Sequence, residues 1–252
     1  MVVSEDDVLP VPSGVSLEVC SALLSGAGIA YRLLNDFAAL KSGDFVLQND
    51  ASSTVGLAVI ELCKSRGVKT INVVKDCGKK SEELYHQVEL AGGDVLIRES
   101  QLQSNVVAAI GVDEQDFQKI LADLPSPVLV LNGRGGSVMT NMCSQVKLVR
   151  RDGVKCRNST VVTYNETTDE PFALNASMMM GSNLCFKGFS MSEWLTAANK
   201  SDVKSMVDDL AGLVSADKLH VSVKKSEFSA IEKQPLTHLC PCYQTYVQTM
   251  DQ

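Results

Sequence analysis

The stretch Lys41–Ile60 (KSGDFVLQNDASSTVGLAVI) constrains the fold more than any other part of the chain. Phe45 to Leu47 is a short apolar run after a Gly43-Asp44 turn, the pattern of a strand buried on both faces. Asp50 to Thr54 is small and polar. From Val55 the apolar residues recur at helical spacing through Val59, Ile60, Leu62 and Cys63. A strand that runs through a loop of small residues into a helix aims backbone N–H groups and the positive end of the helix dipole at one spot, and such a spot binds phosphate. Asn49, Ser52, Ser53, Thr54, Val55 and Gly56 are therefore the candidate cofactor-cradling residues. The loop departs from G-x-G-x-x-G: only Gly56 occupies a glycine position, and Thr54 stands where another glycine would help a pyrophosphate approach. A plain α/β packing turn satisfies the same local pattern.

Thr70 to Val74 reads as a second strand ending in Lys75, about twenty residues beyond the loop, where the group that reads an adenosine ribose belongs. An acidic side chain there accepts from a free 2′-hydroxyl, whereas a lysine suits a 2′-phosphate. NADPH is thus the candidate cofactor, modestly preferred over NADH because Asp76 follows at once. The alternative is that Lys75, Lys79 and Lys80 form a solvated charge cluster.

The remaining chain repeats the strand–helix alternation. Ser16 caps a helix from Leu17 to about Leu24, a second helix runs from Ile29 to Leu40, and Ser81 caps another through Leu90, ended by Gly92-Gly93. Strands are expected at 94–97, 128–131, 159–164 and 184–189, with helices at 113–121 and 202–214. The fold class is α/β: a Rossmann-like doubly wound parallel sheet with helices on both faces, plus a short irregular C-terminal tail. Residues 1–40 form a lead-in segment with linker helices, 41–218 the cofactor-type domain, and 219–252 a C-terminal remnant. Asn132 and Gly135, in the glycine-rich turn after the fourth strand, lie where open α/β sheets bind ligands and complete the candidate cofactor site. A simple strand-to-helix turn gives the same residues.

A net charge of −7 argues against direct nucleic-acid binding, which needs a basic face. No uninterrupted apolar run approaches eighteen residues, so no membrane span is expected. The start is acidic and lacks the features of a signal or transit peptide. The 8 cysteines are scattered rather than arranged as a disulfide framework, which points to a reducing compartment. His238, Cys240 and Cys242 lack the spacing of a zinc ribbon, so no metal is expected. Met178 to Met180 reads as adaptable core or interface.

Several stretches taken together resemble the medium-chain dehydrogenase/reductase superfamily. They are Val11-Pro12, Ser16-Leu17-Glu18, Ala30 to Leu34, Leu40 to Asp44, Gln48-Asn49 and Val55-Gly56. Thr70 to Asp76, Leu131-Asn132 with Gly135-Gly136, and Lys187-Gly188-Phe189 with Trp194 bring the chain closest to the mitochondrial enoyl thioester (2-enoyl-CoA/ACP) reductases. The resemblance covers most of residues 8–232. It implies NADPH-dependent reduction of a trans-2-enoyl thioester in mitochondrial fatty acid synthesis, and a mitochondrial location; without it the location expected is cytoplasmic.

Members of that family open with a GroES-like domain that supplies the catalytic tyrosine and half of the acyl cleft. This chain opens where the linker into the cofactor domain is expected, and neither Tyr31 nor Tyr164 matches the catalytic position. Asn165-Glu166 follows the fifth strand where the family favours small glycines beside the nicotinamide, and Ser190 replaces an aromatic residue. Hydride transfer needs nicotinamide, enoyl carbon and proton donor in one ordered pocket. The expectation is accordingly a Rossmann protein that has lost catalysis, has no catalytic residues of its own, and serves as a structural or assembly subunit, with a protein partner or second copy on the C-terminal segment. The alternative is a working NADPH-dependent enoyl reductase whose catalytic domain comes from elsewhere.

Overall fold

Six short strands lie side by side in parallel, in the order β3-β2-β1-β4-β5-β6. They are β1 (Phe45–Gln48), β2 (Lys69–Val74), β3 (Val95–Arg98), β4 (Leu129–Asn132), β5 (Thr160–Thr163) and β6 (Cys185–Gly188). The structure is a computed structural model that describes residues 4–5, 8–102, 127–145, 159–168, 170–174, 176, 184–227 and 245–249. The helix expected at 113–121, the Met178–Met180 run and the His238/Cys240/Cys242 cluster lie outside the described residues.

The register sets Val46 opposite Thr70 of β2 and Leu129 of β4, so the strand order reverses at β1 and β4. Successive side chains of a strand point to opposite faces. Val46 therefore joins one core layer with Leu33, Leu34, Val59, Leu62 and Leu210, while Leu47 joins Ile71, Val73, Met139 and Met142 in the other. The first layer is roofed by α1 (the helical run from Leu17 to Asp36), α2 (Thr54–Ser65) and α6 (Lys200–Ser215). Beside α2, α3 (Ser81–Leu90) packs Leu84 and Val88 against Ile60 and Val74. The opposite face carries α4 (Gly136–Gln145). With α5 (Met191–Ala197) after β6, this is the doubly wound α/β arrangement read from the sequence.

Three local readings are corrected. The helices expected at 17–24 and 29–40 are not separate. Leu17–Leu23 passes through a π turn at Leu24–Gly28 into Ile29–Asp36, so the run is continuous and stops short of Leu40. The small residues let it lie close to its neighbours: a Cβ at Gly26 would sit 3.3 Å from Thr54 Cβ, at the start of α2. That 20-residue run contains an 18-residue window of mean hydropathy 1.3 and is long and apolar enough to cross a membrane, unlike the shorter segments expected from sequence. Its Ala22, Leu23, Ala30, Leu33 and Leu34 are buried against the sheet, which is the placement of a core helix. Ser81 is not a cap. It is the first helical residue, and its Oγ accepts from Cys77 N at 2.8 Å.

After α6, whose cap is Asn199, the chain is less irregular than expected. β7 (Val223–Glu227) and β8 (Thr245–Thr249) pair in parallel, apart from the main sheet and beside the start of α1. Among the described residues His220 links this end of the chain to α2. Its backbone N donates to Glu61 Oε2 at 2.7 Å, and its Nδ1 lies 2.8 Å from Glu61 Oε1.

Candidate functional site

The loop from β1 into α2 is held from three sides. Ser53, the cap of α2, accepts from Gly56 N at 3.0 Å. Gln48 Nε2 donates to the Gly56 carbonyl at 3.0 Å and to Asn72 Oδ1 of β2 at 2.8 Å. An ideal Cβ at Gly56 would come 2.6 Å from the carbonyl oxygens of both Asp50 and Ala51, so only glycine lets the first turn of α2 settle onto the loop. This close approach is what the lone glycine provides. Ser52, Ser53 and Val55 are buried and Thr54 is half-buried beneath α1, so the loop offers a ligand mainly its backbone. The exception is Ser52 Oγ, which is buried and has no hydrogen-bond partner among the described residues.

Asn49 and Asn132 meet across the point where the strand order reverses. Asn49 Nδ2 donates to Asn132 Oδ1 at 2.8 Å, and Asn49 Oδ1 accepts from Gly133 N at 2.7 Å. Asn132 Oδ1 also accepts from Gly135 N at 3.0 Å, and its Nδ2 donates to Thr163 Oγ1 of β5 at 3.1 Å. Both side chains are 0% exposed. They stitch the ends of β1, β4 and β5 together and act on any ligand through the loops they hold. Gly135 and Gly136 take φ values of +77° and +61°, a turn that side chains resist.

Charged groups converge here from four neighbouring strand ends, and of these the sequence singled out only Lys75, with Asp76 weighed beside it. Asp50 follows β1, Lys75 and Asp76 follow β2, Glu99 follows β3 and Arg134 follows β4. Arg134 Nε lies 2.7 Å from Glu99 Oε1, with side chains only 13% and 11% exposed. The pair is off the line of a good hydrogen bond, leaving both atoms without a hydrogen-bond partner among the described residues. Asp50, 5% exposed and at φ +56°, has its carboxyl pushed up to about 6 by burial, against the pull of Arg134 and Lys75. Burial also raises Glu99, again opposed by Arg134. Two cations thus face three carboxylates, of which Asp76 is engaged by Ser100 N at 2.7 Å. For Asp50, Glu99 and Arg134 the local signal is their place just beyond a strand.

On the other side of the turn, Tyr164 lies against Gly133 so closely that a Cβ there has no room. A Cβ at Gly135 would meet Glu166 Cγ at 3.1 Å, and Thr167 N donates to the Arg134 carbonyl at 3.0 Å. The segment after β5 therefore packs onto the glycine-rich turn. Tyr31 lies elsewhere, donating to Asp209 Oδ2 of α6 at 2.6 Å. Ser190 caps α5, accepting from Glu193 N, and Trp194 of that helix stacks under Arg32 at 4.5 Å. A cavity of about 360 Å³ between α1, α5 and α6, lined by Tyr31, Arg32, Trp194, Asp202 and Ser205 among others, contains none of the candidate residues.

The residues present suit the phosphate-bearing half of a dinucleotide. The unpaired Ser52 Oγ, the loop that Gly56 brings against α2, and the cations Lys75 and Arg134 are groups an anion uses. The opposite half of the crevice is narrowed by Tyr164 and Glu166.

Comparison with known proteins gives a consistent picture. No family model matches the chain. A mitochondrial enoyl-[acyl-carrier-protein] reductase of Dictyostelium discoideum is 32% identical over 230 residues, 91% of this chain and 60% of the relative. The Arabidopsis thaliana protein of that name is 35% identical over 190 residues, 75% of this chain and 45% of the relative. The chain therefore spans about half the length of the curated relatives it matches. Among solved structures, a mutant of the reductase Etr1p in complex with NADP and crotonyl-CoA superposes with a TM-score of 0.70 at 19% identity, over 90% of this chain and 58% of that one. A putative NADPH:quinone reductase from Bacillus thuringiensis gives 0.72 at 14% identity, over 92% of this chain and 63% of that one. The structural matches establish the fold, and the sequence matches show that most of this chain is similar to mitochondrial enoyl-[acyl-carrier-protein] reductases.

Proposed function

We propose that this chain is the nucleotide-binding part of an enoyl thioester reductase and that its crevice takes NADPH. The observation that carries the reading is the loop Asp50–Gly56, fitted against α2 at the reversal point of the sheet with Ser52 Oγ left unpaired. In this reading the backbone of Ser52 to Val55 and the α2 dipole hold the pyrophosphate. Lys75 faces the ribose phosphate, while Asn49 and Asn132 keep the two loops at the right separation. Gly135 lets the dinucleotide pass close to the turn. NADPH, when bound, supplies the hydride that reduces the enoyl double bond. The relatives carry mitochondrial in their names, and a mitochondrial location is proposed for this protein by that kinship.

The test is titration of the purified chain with NADPH and NADH, followed by the fluorescence of the reduced nicotinamide. Saturable binding with NADPH the tighter ligand supports the reading. Absence of saturable binding for either cofactor refutes it.

A second reading is favoured by one observation: Tyr164 and Glu166 pack onto Gly133 and Gly135, where the nicotinamide end of a dinucleotide would lie. A carboxylate there crowds the ring and sets negative charge beside it. On this reading the protein has lost catalysis and acts as a structural or assembly subunit, with a protein partner or a second copy on the C-terminal segment. Oxidation of NADPH by the purified chain in the presence of crotonyl-CoA excludes that role, whereas a stable larger assembly without turnover supports it.

A further inference from the structure

Arg134 is the one long cation on the glycine-rich turn after β4, and its guanidinium does not stay over its own strand. It reaches across the ends of β1 and β2 to Glu99, which follows β3 and which feels the charge of both Arg134 and Lys75. Pyrophosphate belongs at the α2 end of the crevice, beside the β1 loop, and the adenosine ribose belongs at the end of β2. Arg134 therefore stands at the ribose side, and Asp50 and Glu99 each feel both it and Lys75, so a 2′-phosphate entering there meets two cations.

We propose that Arg134 is a specificity-determining residue for a 2′-phosphorylated dinucleotide: the 2′-phosphate displaces Glu99 from the guanidinium and is held jointly by Arg134 and Lys75. The proposal rests on the reading that the crevice binds a nicotinamide dinucleotide. Glu99 then serves as an internal stand-in that keeps the buried guanidinium neutralised while no phosphate is there. A buried guanidinium without an anion is costly, and a carboxylate at 2.7 Å relieves that cost. The ion pair is a natural one to exchange, because its alignment leaves both atoms short of a hydrogen bond. Phosphate offers a planar fork of donors more acceptor oxygens than the carboxylate does. Lys75 alone is a point charge on a flexible stem, and Asp76 beside it weakens its discrimination.

The test compares 2′,5′-ADP with 5′-ADP, and NADPH with NADH, by calorimetric titration of wild type, Arg134→Met, Glu99→Gln and the double variant. Arg134→Met is expected to weaken 2′,5′-ADP and NADPH about 10- to 100-fold, the worth of a charge-assisted hydrogen bond, and to leave 5′-ADP and NADH within about twofold. Glu99→Gln, which frees the guanidinium, is expected to tighten the 2′-phosphorylated ligands. Because Arg134→Met strands a buried carboxylate, the double variant supplies a folded background with the pair removed together, and it must lose the same discrimination. Equal weakening of both ligand classes, or no change in either, overturns the proposal and leaves the cofactor reading standing. Wild type that binds none of the four ligands overturns both.

Discussion

Replacing Gly56 by alanine tests the central claim about the loop. The new Cβ would stand 2.6 Å from the carbonyl oxygens of Asp50 and Ala51, against an ordinary carbon–oxygen contact of about 3.3–3.6 Å. Both obstacles are backbone, so relief requires moving α2 or the loop by roughly 0.7–1 Å. That shift strains the 3.0 Å cap from Ser53 and the 3.0 Å bond from Gln48 to the Gly56 carbonyl. Overpacking costs about 1–3 kcal/mol and a weakened cap about 0.5–2 kcal/mol, while alanine returns about 1 kcal/mol of helix propensity. The net loss is about 0.5–4 kcal/mol, which for a chain of this size lowers Tm by roughly 1–16 °C. A built-in control is Gly212 in α6, where an added Cβ meets nothing within 4 Å. Gly212→Ala is expected to stabilise by about 0.4–1 kcal/mol through the same propensity term. Parallel thermal and urea unfolding of the two variants reads the difference directly. If Gly56→Ala melts at or above wild type, the close seating of α2 on the loop is wrong.

Three further outcomes are expected. Asp50 is buried with its carboxyl raised to about 6, so its favourable contribution is present below the unfolded value near 3.9 and is lost as pH rises through 6. Asp50→Asn should therefore stabilise the fold by about 1–3 kcal/mol at pH 7.5 and by little at pH 4, as read by urea midpoints; an equal effect at both pH values contradicts the burial argument. His220 is raised mainly by its hydrogen bond to Glu61, with Asp217 adding to it, so it stabilises below the ordinary histidine range and ceases to do so as pH rises through its folded value. The stability gap between wild type and His220→Ala should shrink from pH 6 to pH 8.5, and a gap that widens refutes the link between α2 and the segment after α6. Lys75→Glu should abolish any preference for NADPH over NADH in the fluorescence titration; retained preference shows that Lys75 does not face the ribose.

The order of elements was legible because each depends on a local period. The apolar runs at 45–47, 70–74 and 129–131 are strands because nothing else buries a continuous run so short. That a loop of small residues runs from this first strand into a helix followed from loop chemistry, whereas the Ser53 cap and the seating of Gly56 on the loop carbonyls came from the structure. The break expected between the helices at 17–24 and 29–40 is a π turn instead, where Gly26 and Gly28 serve packing against Thr54 and Met191.

What the chain by itself determined is the alternation of buried strands and amphipathic helices, and with it a doubly wound α/β sheet with a turn of small residues after β1. Tertiary structure alone decided that β1 would pair with β4, more than eighty residues away, and so which loops would face each other. Asp50, Glu99 and Arg134 carry no signal in their own segments, and Lys75 carries only its spacing from the loop. They become one charged cluster because parallel pairing brings four strand ends to the same edge, and a long-range ladder leaves no trace in the spacing of neighbouring residues.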